Sequence, residues 1–426
     1  MKGTVIVGGR VIDPAHGVDR ETDLFIADGR IQALDNPPPN FEAVEQVDAS
    51  GLTVAPGLVD LAAHSREPGH AHVASIASEA YAAAAGGITT MCCPPDTDPV
   101  VDSPSVVELL RRRADEAGAA RIEPLGALTR DLAGERLSEL AALHRAGCHG
   151  FSDGGRPIRD TLVLRRALEY AATFDFPVLL TPLDPWLAEG GLIHEGRVAT
   201  RLGLPGIPAA AETAALGRDL ALLEQIGARA HFGHLSTAAG VAALARAQRQ
   251  GLPVTGDVAA LQLFLTEQDV WDFDTYCHVQ PPLRSETDRE ALRRALAEGT
   301  LAAVCSDHQP HPADAKDTPL GASLPGASGV DTLLALMLRL VEEDVLDLPT
   351  ALAKVTCNPA RILGLDAGTL APGAPADICL FDPYEVWRVD AESLRSHGKN
   401  SPFLGWEFSG RVVRTWVGGR MVYRGD

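Results

Sequence analysis

At 426 residues the chain exceeds a single small domain and has room for a large α/β barrel with a modest second module. Its formal charge of -20 argues against nucleic acid or an anionic membrane surface as partner, because both need a basic face. A 46% hydrophobic share with only 5% aromatic residues suits an Ala- and Leu-rich α/β protein with ample core, and leaves the substrate class open.

The opening stretch "MKGTVIVGGRVIDPAHG" alternates apolar and small residues, which predicts a hairpin turning at Gly8-Gly9 rather than a signal peptide. No apolar run approaches the roughly 20 residues needed to span a bilayer, and a cytoplasmic location is expected. Short strands broken by turns continue to about residue 55, with "NPPPN" at 36–40 as a loop.

From residue 56 to 365 the rhythm changes to apolar strands alternating with amphipathic helices, eight times over, the pattern of a (β/α)8 TIM barrel. The strand candidates are "LTVAPGLVDLAAHS", "GITTMCCPP", "RIEPLGALT", "CHGFSDGG", "FPVLLTPLD", "ARAHFGHLS", "LPVTGDVAA" and "TLAAVCSDHQPH". Helices such as "SPSVVELLRRRADEAG" and "ETDREALRRALAEG" open on capping residues and close on Gly. The long segment "HQPHPADAKDTPLGASLPGASG" after the eighth strand is rich in Pro and Gly, and is expected to be mobile or ordered by a partner. Beyond residue 366 strands and turns return, so segments 1–55 and 366–426 are expected to pair into one small β-sandwich module.

Seven cysteines, an odd number without regular spacing, lie mostly in apolar strand-like runs, which fits buried thiols in a reducing compartment. The Cys92–Cys93 doublet is a poor soft-metal site, because successive strand residues face opposite ways.

The carboxyl ends of barrel strands hold the chemistry in this architecture. In order they offer Asp60, Ala62, His64 and Arg66; Asp96; Asp153; Thr181; His234; and Asp307, His308 and His311. Two divalent metals sharing a carboxylate need about two imidazoles each and a terminal carboxylate. Asp153 and Asp307 supply carboxylates, but only His64 and His234 stand in suitable registers. The sole H-x-H, His70 and His72, lies beyond the first strand end and reads as a surface-loop pair. Asp60 reads as a hydrogen-bonding strand end, His231 as a structural strand residue, and His308 as a solvated or inherited residue at a loop start.

"GLVDLAAHSREPG", "GITTMCCPPDTDP", "GFSDGG", "HFGHLST", "HVQPPLRSETDREAL", "SDHQPH" and "GKNSPFLG" resemble, in order and over nearly the whole chain, the dihydroorotase branch of the amidohydrolase superfamily. The resemblance implies metal positions at 62, 64, 153, 181, 234 and 307. His64, Asp153, His234 and Asp307 match it, whereas Ala62 and Thr181 replace histidines and Gly154 replaces a second Asp. It implies a substrate clamp of Arg66, His311 and two Asn positions, now Asp96 and Gln280, while His278 stands where the pattern has Lys. Arg66 is expected to pair with Asp96 instead of with substrate.

The resemblance therefore implies a pseudo-dihydroorotase without cofactor, or with at most one weakly bound zinc at His64, Asp153 and Asp307. The pattern of lost ligands resembles that of inactive homologues that serve as non-catalytic chains of bacterial aspartate carbamoyltransferase. A structural role in a hetero-dodecamer with that enzyme's catalytic chain, in pyrimidine synthesis, is the expectation. A mononuclear cyclic-amide hydrolase, or a metal-free binder of a pyrimidine-like ligand, are the alternatives.

Overall fold

The computed structural model describes residues 1–425. A parallel barrel forms its centre, and all eight strand candidates contribute to it: Leu58–Asp60, Ile88–Cys93, Arg121–Pro124 continued by Gly126–Ala127, Phe151–Ser152, Val178–Leu180, Ala230–Phe232, Val254–Ala259 and Ala303–Cys305. Neighbours pair in sequence order. The third strand pairs with the second up to Pro124 and with the fourth from Gly126 onward. A parallel bridge from Ala63 to His308 closes the ring between the first and eighth strands.

The strands are short, apolar and buried, as expected of a barrel interior wrapped by helices. Local chemistry sets the helix ends. Ser103 precedes the helix Pro104–Ala117, with Pro at its first turn and left-handed Gly118 at its end. Ser285 and Asp288 form a reciprocal capping box on Glu286–Ala297.

The terminal strands from Lys2–Asp13 to Thr53–Pro56 join Ile378–Arg388, Glu407–Val417 and Arg420–Arg424 in one mixed eight-stranded sheet. The arrangement is thus a single mixed sheet, with a small apolar core of its own that includes Ile12's neighbour Val11, Ile31, Ile378 and Trp416.

Three sequence expectations are corrected here. Gly8-Gly9 is no turn: Lys2–Asp13 is one strand, Gly8 has φ +70°, and the register shifts between Ile6 and Gly9 as at a β-bulge. The chain reverses later, at the Pro14–Gly17 turn. "LTVAPGLVDLAAHS" is two strands divided at Gly57, the first in the terminal sheet and the second in the barrel; a Cβ on Gly57 would come within 2.1 Å of Thr89.

The third correction is the segment after the eighth strand, which is packed rather than loose. It holds short 3₁₀ turns at Ala313–Ala315 and Leu320–Ala322. Lys316, buried within it, donates to the carbonyls of Thr275, His278 and Leu324. A buried ammonium with three acceptors outweighs the looseness implied by Pro and Gly.

Candidate functional site

A cavity of about 150 Å³ opens at the carboxyl end of the barrel, between Ala62 and His64 of the first strand end and Asp307 of the eighth. Of the residues chosen from sequence, it also gathers Asp96, Thr181, His234 and Gln280 on its wall. Arg66, Asp153, His278 and His311 are not among its lining residues.

His64 is held at both ring nitrogens. Nδ1 lies 3.1 Å from the His308 carbonyl and Nε2 lies 3.2 Å from Asp96 Oδ1. Burial alone would raise the Asp96 carboxyl, but the charge and hydrogen bond of His64 hold it well below the usual carboxylate range. The expected Arg66–Asp96 pair is met in charge but not in contact: His64 takes the carboxylate directly, Arg66 Nε donates to the Pro310 carbonyl at 3.2 Å, and the guanidinium charge still helps hold Asp96 down.

Asp153 turns to its neighbour strand. Its oxygens accept the Thr129 amide at 2.9 Å and the Thr129 hydroxyl at 2.5 Å. Burial raises its carboxyl despite these bonds. Gly154 lines the cavity instead, and a Cβ there would lie 3.9 Å from Asp96 Cβ. The motif position that looks into the cavity thus carries no carboxylate. The trio His64, Asp153 and Asp307 does not converge on one point of the cavity wall.

Asp307 has φ +48° and accepts from Gln309 Nε2 at 3.0 Å. His234 also sits in the left-handed region, at φ +58°. Its amide donates to Asp257 Oδ1 at 2.6 Å, and its Nε2 is 3.7 Å from Asp307 Oδ1. Burial opposes protonation of His234, but the carboxylates of Asp307 and Asp257 outweigh it and raise the imidazole.

The remaining polar residues brace the rim. Asp60 accepts the amide of Ser306 at 3.0 Å, the Ser306 hydroxyl, and the Ala62 amide at 3.3 Å; burial pushes its carboxyl up to about 6. His278 Nδ1 meets Ser323 Oγ at 2.7 Å, and His311 Nε2 meets the Pro325 carbonyl at 2.9 Å. Burial, then the charges of Lys316 and Arg66 respectively, push both imidazoles down to about 4. Gln280 is exposed at the cavity mouth. His70 and His72 are exposed with ring centroids 6.1 Å apart.

Solvation does not describe His308, which is fully buried. Its Nε2 lies 2.9 Å from Glu79 Oε2, and its Nδ1 accepts the Gly329 amide at 3.1 Å. Glu79 was missed by sequence reading, as were Asp257 and Cys305. Each had a signal: a charge inside an apolar helix or strand needs a buried partner, and Cys305 lies two residues before Asp307. His231, read as structural, meets Thr255 Oγ1 at 2.8 Å and Asp257 Oδ2 at 2.9 Å.

The donor set does not suit a bimetal centre built on the family pattern. Ala62 and Thr181 offer no nitrogen, Gly154 no oxygen, Asp153 is spent on Thr129, and His64 Nε2 is taken by Asp96.

A closed parallel barrel with histidine and carboxylate groups at its carboxyl end, braced by a terminal β-module, defines the amidohydrolase class of fold. Solved structures share it: an L-hydantoinase (dihydropyrimidinase) from Arthrobacter aurescens superposes with a TM-score of 0.87 at 25% identity, over 100% of this chain and 97% of that one. A dihydropyrimidinase from Brevibacillus agri superposes at 0.84 with 23% identity, over 99% and 95%. The dihydro-orotase-like family model matches residues 51–239 and the amidohydrolase family model residues 211–422. Dihydroorotase-like proteins of Pseudomonas aeruginosa and Pseudomonas putida are 51% and 49% identical, each over at least 98% of both chains. A dihydroorotase of Geobacter metallireducens is 43% identical over 99% of both. The chain belongs to the dihydroorotase-like family.

Proposed function

We propose that this chain is a non-catalytic member of its family, a pseudo-dihydroorotase. Its work is to assemble with the catalytic chain of aspartate carbamoyltransferase in cytoplasmic pyrimidine synthesis. The observation that carries the loss of catalysis is the Asp96 carboxylate, 3.2 Å from His64 Nε2, where the family pattern has a neutral Asn and a metal-binding nitrogen. A carboxylate at that point repels an anionic substrate and occupies the imidazole. Hydrolysis of a ring amide in this fold relies on a metal to activate water and polarise the carbonyl, and the donors for it are dispersed.

A barrel retained without its chemistry is retained for binding. The assembly reading is supported by the family's pattern of lost ligands and by 51% identity to a protein described as dihydroorotase-like rather than dihydroorotase.

The test is light-scattering mass, together with carbamoyltransferase activity, for this chain mixed with aspartate carbamoyltransferase from the same cell. A joint particle whose transferase activity depends on this chain is the expected result. Two separate species, with full transferase activity in this chain's absence, would sink the assembly reading.

A further inference from the structure

At the floor of the cavity, three neighbouring barrel strands bring an imidazole, a carboxylate and a thiol together. The donor atoms of His234, Asp257 and Cys305 all lie within 4.8 Å of one another. They sit at the ends of, or within, the strands Ala230–Phe232, Val254–Ala259 and Ala303–Cys305, which pair in parallel and give the cluster a rigid floor. Among the described residues, His234 Nε2 is buried without a hydrogen-bond partner. An enclosed ring nitrogen left without a partner is costly and needs an explanation.

Asp257 is already oriented as a ligand would be. His231 fixes its Oδ2 at 2.9 Å and is itself fixed by Thr255 Oγ1, while Oδ1 accepts the His234 amide at 2.6 Å and lies 3.8 Å from Cys305 Sγ, with one lone pair left for an ion. A histidine holding one carboxylate oxygen while the other faces the cluster is the supporting arrangement that metal sites use. Asp307 Oδ1 lies 3.7 Å from His234 Nε2 but outside the mutual set of three.

We propose that His234, Asp257 and Cys305 bind one thiophilic divalent cation of the zinc type. Asp257 and Cys305 have no place in the family pattern described above, so this is a separate set of donors that shares with it only His234. Donors of one imidazole, one thiolate and one carboxylate select zinc over magnesium or calcium. A tetrahedral ion holds its donor atoms about 3.5 Å apart, so a contraction of about 1 Å, within reach of side-chain rotation, brings the three protein donors onto it and leaves the fourth place to water. Binding releases the Cys305 Sγ proton to solvent as the thiolate–metal bond forms, and thiolate plus carboxylate neutralise the dication. The inference goes beyond the assembly reading and does not depend on it.

The test uses the full chain, stripped of metal with a chelator and titrated with cobalt(II). The expected result is uptake of one equivalent, with intense tetrahedral visible bands and a sulfur-to-cobalt charge-transfer band in the near ultraviolet, displaced on adding zinc. Cys305→Ser should lose the sulfur band and weaken binding at least about 100-fold, the upper end of what losing even a supporting partner costs. Cys357→Ser, remote from the cluster, should change neither. If Cys305→Ser does not fold, His234→Gln serves in its place and should weaken cobalt uptake to the same extent. No stoichiometric uptake, a weak octahedral spectrum, or a sulfur band that survives Cys305→Ser would overturn the proposal. Particle mass with carbamoyltransferase, measured on the metal-free chain, reads the assembly separately.

Discussion

His64 Nε2 lies 3.2 Å from Asp96 Oδ1, while Nδ1 of the same ring lies 3.1 Å from the His308 carbonyl. Both nitrogens thus face oxygen atoms of other strand ends. The first strand end is thereby tied to the second and the eighth by a group that elsewhere in the family pattern would be free for a metal.

This tie is expected to be energetically coupled. A double-mutant cycle of His64→Ala and Asp96→Ala, followed by urea denaturation at pH 7, should give a coupling of about 1–2 kcal/mol. Because the Asp96 carboxyl is depressed, the coupling is complete above its ordinary value of 3.8 and should fade as pH falls below it. A coupling indistinguishable from zero would mean the contact holds nothing.

Restoring the two missing histidines should not restore an enzyme. Ala62→His with Thr181→His should raise the metal content above that of the parent chain, read by elemental analysis. Dihydroorotate turnover should stay absent, because Asp96 still holds His64 and Thr129 still holds Asp153. Adding Asp96→Asn releases His64 and should raise metal content again. Turnover by the double variant alone would refute the account of a broken clamp.

Glu79 ties three parts of the molecule together: its carboxylate accepts from His308 Nε2, the Ser396 hydroxyl and the His397 amide. Burial would raise this carboxyl, yet the hydrogen bond and charge of His308 and the serine hydroxyls bring it down to about 2. A depressed carboxyl contributes stability that is complete above its ordinary value of 4.5 and is lost as pH falls towards 2. Glu79→Ala should cost about 1–3 kcal/mol at pH 7 by leaving the buried His308 Nε2 donor without its acceptor. It should also flatten the acid limb of the stability curve between pH 4.5 and 2. An unchanged acid limb would assign that limb to other carboxylates.

Lys316 holds the segment after the eighth strand through three backbone carbonyls. Lys316→Ala should leave the barrel folded, by far-ultraviolet circular dichroism, while amide exchange in residues 312–325 rises by at least about tenfold, equivalent to about 1.4 kcal/mol of local stability. Protection equal to that of the parent chain would show that Leu320 and the 3₁₀ turns suffice without the lysine.

Much of this was written in local pattern. Eight apolar runs with capped helices between them produced eight barrel strands, because short buried strands and amphipathic helices depend on periodicity and end chemistry that neighbouring residues carry. The replacements Ala62, Thr181 and Asp96 were legible as residue identities, and all three do line the cavity. Direction was not legible. Adjacent positions 153 and 154 differ only in which way the chain turns after a two-residue strand, so the sequence could not say that Asp153 faces Thr129 and Gly154 the cavity. Gly8-Gly9 failed for a similar reason, since two glycines permit a turn and a bulge alike.

By itself, then, the sequence determined the barrel, the family and the loss of two imidazoles, all properties of residue type and spacing. Only the tertiary structure decided which charges meet. Asp96 and Arg66 looked like partners, yet His64 took the carboxylate and Arg66 a carbonyl; Glu79 found His308 across 229 residues, and Asp257 joined His234 and Cys305 from three different strands. A buried charge takes the partner that closure of the barrel brings within hydrogen-bonding reach, and distance along the chain carries no record of that distance in space.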